Sequence, residues 1–320
     1  MKKHVLFVVL QLIWMTGFAE NLRFKEFGTP IPARANLDVR WNAPTNALPP
    51  RIWVCRLLPR DLSPQIMSNL MAACSFTDKD KVIQGDMLAF NSLDGSRQLR
   101  VVASRGIIDY EMTIHRSMTN FVKNVPSERK TLKLAKKFLP ELGIDLADID
   151  KKENSFQSDF HVFDTGVVYF INHKAVTNTE SRGIRFRRAV NGISFISIGT
   201  GGDGEIHFGD HGRISKIDVS WRHIEPSKLY ATVTPETIVR SLRGGKAVQG
   251  FTLESLGDID WSRVKSVTIK KVFPRYYAGG GRLAPSDWLY PFAALWTTVD
   301  TSHGNIDVEI DCPIIDETTP

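Results

Sequence analysis

The sequence predicts an α+β fold built from tandem units, each a helix packed on a curved antiparallel β-sheet. Three observations predict it. A capped helical stretch followed by a run of strand signals occurs three times along the chain, as in a divergent internal repeat. The strands within each run are joined by connections too short to hold crossover helices, which makes the sheets antiparallel. Two strands also alternate cleanly, with Ile306, Val308, Ile310 and Cys312 against Asp307, Glu309 and Asp311, and Ile217, Val219 and Trp221 against Lys216, Asp218 and Ser220. Each such strand offers one apolar face to a helix and one polar face to water.

The chain opens with a secretory-signal pattern: basic Lys2 and Lys3, an apolar stretch from Val5 to Trp14, and the small-residue site Gly17-Phe18-Ala19. The apolar stretch is interrupted by Gln11 and followed by Glu20, too short for a membrane span of about 20 apolar residues. Cleavage after Ala19 is therefore expected, with no stable membrane insertion afterwards and a secreted or periplasmic location. A Pro-, Asn- and Ala-rich stretch over Gly28 to Pro50 reads as an extended leader.

The first helix is predicted from Pro64, behind the cap Ser63, with Ile66, Leu70 and Cys74 at helical spacing. Strands follow over Met87 to Phe90, Gln98 to Ala103 and Ile107 to Ile114, with turns at Asp94-Gly95 and Arg105-Gly106. The second helix runs from the cap Ser127 to about Leu142, placing Leu132, Ala135, Leu139 and Leu142 on one side, and Gly143 ends it. Strand signals then fall at Phe160 to Val162, Val167 to Ile171, Gly183 to Val190, Ile193 to Ile196, Glu205 to Phe208 and Ile214 to Trp221. The third helix begins at Pro235 behind Thr234, carries Ile238, Val239 and Leu242, and stops at Gly244-Gly245. Val264 to Phe273, Ala293 to Val299 and Ile306 to Cys312 complete the strands. The expected divisions are a signal over 1–19, a leader over 20–50, and units over 51–126, 127–230 and 231–320.

The formal charge of +6 drops by two when Lys2 and Lys3 leave with the signal. Such a mildly basic balance lacks the dense basic patches of a nucleic-acid binder, so no nucleic-acid partner is expected. Three cysteines, Cys55, Cys74 and Cys312, permit at most one internal bridge in an oxidising compartment. Cys55 with Cys74 closes the shortest loop, and the competing reading buries all three as small apolar residues.

The helix from Glu128, the strand Arg185-Phe-Arg-Arg188, the turn Val190-Asn191-Gly192-Ile193, the segment Gly209-Asp-His-Gly212 and Ser220-Trp221-Arg222 together resemble PepSY-like extracytoplasmic modules, in particular those of YycH/YycI-type regulators. The closing segment from Trp288 to Trp296, followed by Ile306 to Ile314, resembles the final strand pair of such modules. The resemblance covers Ser127 to Glu225 best, extends over Thr234 to Ile315, and is faint before Pro126. It implies a cystatin-like sheet gripping a helix, with 51–126 as a degenerate α+β unit, 127–230 as a PepSY-like unit and 231–320 as a second one. It also implies inhibition, signalling or protein contact outside the membrane. YycH/YycI-type proteins keep a membrane anchor, whereas this chain is expected to lose its signal.

Candidate chemistry is sparse. His207, Asp210 and His211 invite a metal reading, but Gly209-Asp210-His211-Gly212 reads as a reverse turn, and a tight site needs three or four converging ligands. Asp159 with His161, and His173, stand alone, while His115 and His223 fall at strand ends. Gly199-Thr-Gly-Gly-Asp-Gly204 lacks the Lys-Ser/Thr of a phosphate loop and precedes strands rather than a helix. Neither a nucleophile elbow nor a zinc-protease helix motif is present. No catalytic, metal or cofactor-binding residue is therefore assigned, and no cofactor is expected.

Arg185 and Arg187 share one side of their strand, suited to a partner contact or to pairing across strands with the row Asp307, Glu309 and Asp311 or with other carboxylates. Tyr276, Tyr277, Trp288 and Tyr290 border the Gly279 to Pro285 segment, and such aromatics suit a protein or glycan contact or, equally, packing under that segment. The expected function is that of a secreted or periplasmic, non-catalytic binding or regulatory protein that contacts another extracytoplasmic protein. The alternatives are an envelope-directed hydrolase using the histidines around His207, or a structural component assembled through sheet edges.

Overall fold

The computed structural model describes residues 29–113, 124–150, 161–171, 174–196, 201–250, 259–278 and 286–315. Of these, 52% lie in strands, against three α-helices. The predicted signal, His115, Asp159, His173, Gly199 and the Gly279 to Pro285 segment lie outside the described residues.

In chain order the strands begin with β1 (Thr29–Pro30), β2 (Asp38–Trp41) and β3 (Arg51–Leu58), followed by helix α1 (Pro64–Cys74). Then come β4 (Lys81–Gln84), β5 (Met87–Asn91), β6 (Arg97–Val102) and β7 (Ile107–Met112), and helix α2 (Glu128–Glu141). The long strands β8 (His161–Ile171) and β9 (Lys174–Arg187) precede β10 (Ala189–Val190), β11 (Ile193–Ile196), β12 (Gly202–Phe208), β13 (Ile214–Trp221) and β14 (His223–Ala231). Helix α3 (Pro235–Arg243), β15 (Val248–Gln249), β16 (Ser266–Ala278), β17 (Trp288–Thr301) and β18 (Gly304–Pro313) complete the chain.

All three helices start where their caps predict. The side-chain oxygens of Ser63, Ser127 and Thr234 accept from the backbone N–H of Ile66, Lys130 and Thr237, satisfying donors that the first turn leaves unpaired. The buried stripe of α2 is Thr131, Ala135, Phe138 and Leu139, with Leu142 just beyond, while Leu132 is only half-buried.

The chain divides into two compact units. The second unit, Arg56–Glu225 with Gly280–Trp288, is built on an eight-stranded antiparallel sheet in the order β4-β5-β6-β7-β13-β12-β9-β8. Its inner face carries Leu99, Ile108, Tyr110, Ile184, Ile206 and Ile217, which share one core with Leu70 and Cys74 of α1 and Ala135, Phe138 and Leu139 of α2. Each large side chain so buried contributes about 1.5–3 kcal/mol. Two glycines of β12 answer to this packing: a Cβ on Gly202 or Gly204 would come within 2.3 Å of the Phe195 or Phe186 ring. Gly202 to Gly204 of the glycine-rich run are therefore part of β12, where the run was expected to precede the strands.

The first unit comprises residues up to Cys55, Pro226–Gly279 and Leu289 onward. Here β1, β15, β18, β17 and β16 are neighbours in that order, β2 adds parallel to β16, and β3 pairs with β14 and β17. The sheet is consequently mixed. The stretch expected to be an extended leader supplies β1 and β2.

The expectation of tandem helix-on-sheet α+β units is overturned. The protein is mostly β, with one large antiparallel and one mixed sheet. The decisive contact is β7 with β13, where Ser220 to Lys216 pair with Ile107 to Glu111. It fuses the strands expected in 51–126 with those expected in 127–230, so α1 and α2 serve a single sheet. Edge strands carry unpaired N–H and C=O groups, and joining two edges satisfies them.

The expected Cys55–Cys74 bridge is not formed: Cys55, Cys74 and Cys312 are in no disulfide and all three are buried, as the competing reading had it. Cys74 faces the core from α1, where burial pushes its thiol up to about 12. No helix among the described residues is long and apolar enough to cross a membrane.

Candidate functional site

The outer face of the eight-stranded sheet is written in the alternation of its strands. In β9 Ile184 and Phe186 turn inward while Arg185 and Arg187 turn outward. In β12 Ile206 and Phe208 turn inward and leave Asp203, Glu205 and His207 outside. Antiparallel register then lays Arg100, Asp109, Asp218, Glu205, Arg185 and His161 side by side across six strands. Three adjacent carboxylates in such a row repel one another unless cations flank them. Arg100 reaches Asp109 at 2.8 Å, and Glu205 is flanked by Arg185 at 2.8 Å and Lys216 at 3.3 Å.

Glu205 is the hub of this face. Besides Arg185 and Lys216, it accepts a short hydrogen bond from His207 Nε2, and these donors hold its carboxyl down at about 2 against a partial burial that works the other way. His207 is itself 5% exposed. Its Nδ1 faces the hydroxyls of Ser181 and Thr165 at 3.3 Å, and the Phe163 ring meets it edge-on at 5.2 Å. The carboxylate of Glu205 places a proton on Nε2. The Arg185 guanidinium also lies 5.3 Å from the Phe163 ring centroid.

Beside this hub the sheet forms an open depression of about 280 Å³, lined by Arg185, Arg187, Asp203, Gly204, Glu205 and Asp218. Both signs of charge line it, on strands. Such a surface can hold the charged side chains of a partner.

The remaining expected site residues lie elsewhere. Tyr276 and Tyr277 are 1% and 7% exposed and belong to the interior of the first unit, Tyr277 edge-on to Phe292. Burial raises the Tyr276 hydroxyl well above its ordinary range, and neither ring is available to a partner. Tyr290 is half-buried opposite Tyr277. Trp288, at 38%, is exposed, with the Arg56 guanidinium 5.6 Å from its ring centroid. Arg185 pairs across strands with Glu205, one of the other carboxylates, and not with the row Asp307, Glu309 and Asp311. That row is served by Lys270 on Asp307 and Arg275 on Glu309.

The metal reading of His207, Asp210 and His211 fails on geometry. His207 is engaged by its strand neighbours, while Asp210 and His211 contact each other at 2.9 Å on an exposed turn that also receives Asn124. Among the described residues no three His, Cys, Asp or Glu side chains come together as a metal site.

The arginines of the quoted motifs act as staples. Arg222, 3% exposed, donates to the carbonyls of Leu57 and Ser286 and to the Asp287 carboxylate. Arg188 donates to the Arg222 carbonyl and to Asp148 and lies 5.0 Å from the Trp221 ring centroid. Asn191 and Gly192, both at positive φ, make the tight turn between β10 and β11.

One cluster escaped the sequence. Asp311, at the end of the alternating strand, is 6% exposed beside Glu309, and burial with that neighbouring carboxylate raises it to about 7, opposed by Arg275. The alternation marks it as a solvent-facing acid. Only the end of the pattern, Asp311-Cys312-Pro313, hinted at a change of surroundings.

No family model matches the chain, and no curated protein matches it. Among solved structures the chain is similar to an uncharacterized protein from Eubacterium rectale ATCC 33656, at 10% identity over 86% of each chain, with a TM-score of 0.46.

Proposed function

We propose that this chain is a non-catalytic binding protein of a secreted or periplasmic setting, and that it contacts another extracytoplasmic protein through the outer face of its eight-stranded sheet. The observation that carries the reading is the open depression holding Arg185 and Arg187 together with Asp203, Glu205 and Asp218. A surface with both charges fixed on strands selects a partner by complementary charge and penalises mismatched ones, which favours specificity and rapid encounter. The extracytoplasmic setting rests on the signal pattern of Met1 to Ala19.

The test is capture from an extracytoplasmic extract with the chain from Glu20 onward. Wild type is compared with an Arg185→Gln, Arg187→Gln double variant and with Trp288→Ala, each checked for an unchanged unfolding transition. The expected result is one specific protein retained by wild type and by Trp288→Ala, lost by the double arginine variant, and released by salt. Retention by the folded arginine variant would move the contact away from this face, and hydrolysis of envelope material by wild type would overturn the non-catalytic reading.

A further inference from the structure

Helix α2 separates its residues by charge as well as by burial. At 3.6 residues per turn, Thr131, Ala135, Phe138 and Leu139 turn to the core, and Arg129, Lys130, Lys133, Lys136 and Lys137 fall within an arc of about 120° on the opposite side. All five cations are exposed. The two acids of the helix lie off the arc: Glu128 stands on the flank toward Arg182, whose charge it favours, and Glu141 is half-buried at the far end. Arg129, Lys130, Lys133 and Lys137 form no ion pair among the described residues. Five cations against two acids place three of the chain's formal +6 on 14 of its 320 residues. Like charges three and four residues apart repel and weaken a helix, and Lys133 has such neighbours at 129, 130, 136 and 137. The stripe therefore works against the helix that carries it, where alternating signs would have supported it.

We propose that α2 rests, by this stripe, on an anionic phospholipid surface. Charge complementarity requires a polyanion, and the shape of the stripe selects a plane. A convex helix ridge offers a flexible polyanionic chain only a line of contact, whereas a flat layer of headgroups meets all five cations at once. Four of the five are lysines, compact charges on long flexible stems that suit mobile headgroups, with no aromatic among them on which a base could stack. Pro140 is the other exposed residue of the arc, and no large apolar side chain there reaches the lipid tails, so the contact is peripheral and reversible. Because α2 packs on the inner face of the eight-stranded sheet, a helix docked in this way turns the Arg185 and Arg187 face away from the lipid. The same unit can then hold a membrane surface on one side and a partner on the other.

The experiment is co-sedimentation of the chain from Glu20 onward, free of the apolar signal stretch, with vesicles of phosphatidylcholine alone or with about one-third phosphatidylglycerol, at about 20 mM salt. Wild type is expected to bind the anionic vesicles, to leave the neutral ones in solution, and to be released in about 0.5 M salt. Each basic side chain near an anionic surface is worth about fivefold, so Lys130→Gln, Lys133→Gln, Lys137→Gln should weaken binding about a hundredfold. Glutamine keeps the helix propensity, and an unchanged unfolding transition verifies the fold. A charge-matched control, Lys79→Gln, Lys81→Gln, Lys228→Gln, removes three exposed lysines elsewhere and should bind as wild type does. No binding to anionic vesicles, equal binding to neutral ones, a triple α2 variant that binds undiminished, or a control weakened as much overturns the proposal. So does retention on inorganic polyphosphate with none on vesicles. The Arg185→Gln, Arg187→Gln variant should bind vesicles like wild type, which separates this outcome from that of the partner-binding face.

Discussion

Glu205 and Asp311 are both acids on alternating strands, one in each unit, and the fold treats them in opposite ways. Glu205 keeps three cationic or N–H donors, Arg185, Lys216 and His207, and its carboxyl is driven down to about 2. Asp311 is more deeply buried, stands beside another carboxylate, and has Arg275 as its counterweight, with that guanidinium hydrogen-bonded to Glu309. Its carboxyl is driven up to about 7. The difference teaches that burial raises a carboxyl, as it does most at Asp311, unless enough donors reach it to outweigh that cost, as His207, Arg185 and Lys216 do at Glu205.

The harshest way to break the comparison is to remove the cation of the poorer cluster. Arg275→Met leaves two buried acids without their guanidinium, and a loss of about 3–5 kcal/mol is expected in urea unfolding at pH 8. Protonation should recover much of that loss near pH 5, which a repeat at that pH checks.

Next in size is Glu205→Gln. Because the folded-state carboxyl sits below its unfolded value, its contribution is complete above about pH 4.5 and is lost as pH falls toward about 2. The substitution should cost about 2 kcal/mol at pH 7 and flatten the acid limb of the stability curve between those values.

Asp311→Asn should act with the opposite sign. A carboxyl raised in the folded state destabilises as it ionises, so stability falls as pH rises from about 4 through about 7. The variant should be more stable than wild type by about 1–2 kcal/mol at pH 8 and little changed at pH 4, as thermal unfolding at the two pH values would show. Smallest is Lys216→Ala, which removes a 3.3 Å contact from a side chain 40% exposed. A cost of about 0.5 kcal/mol is expected, diminishing in about 1 M salt.

What could be read along the chain was local. The caps Ser63, Ser127 and Thr234 set the helix starts, and the strand Ile214–Trp221 appears with the bounds its alternation predicts. Strands without alternation went unread: β3 is mostly buried along its length, and β4 is exposed throughout. Of the candidate site, the outward direction of Arg185 and Arg187 follows from period two, but their carboxylate neighbours do not. Tyr276 and Tyr277 look like contact residues by type and are core residues by position.

The sequence by itself determined which stretches are helical, which strand faces are apolar, and where turns such as Asn191-Gly192 fall, because caps, side-chain periodicity and positive-φ residues act within a few residues of each other. The tertiary structure alone decided that β7 joins β13, that Glu205 meets Arg185 and His207, and that Asp311 is enclosed beside Glu309. Strand pairing and register unite residues far apart in the chain, and their energies come from backbone hydrogen bonds and shared burial that no single segment encodes.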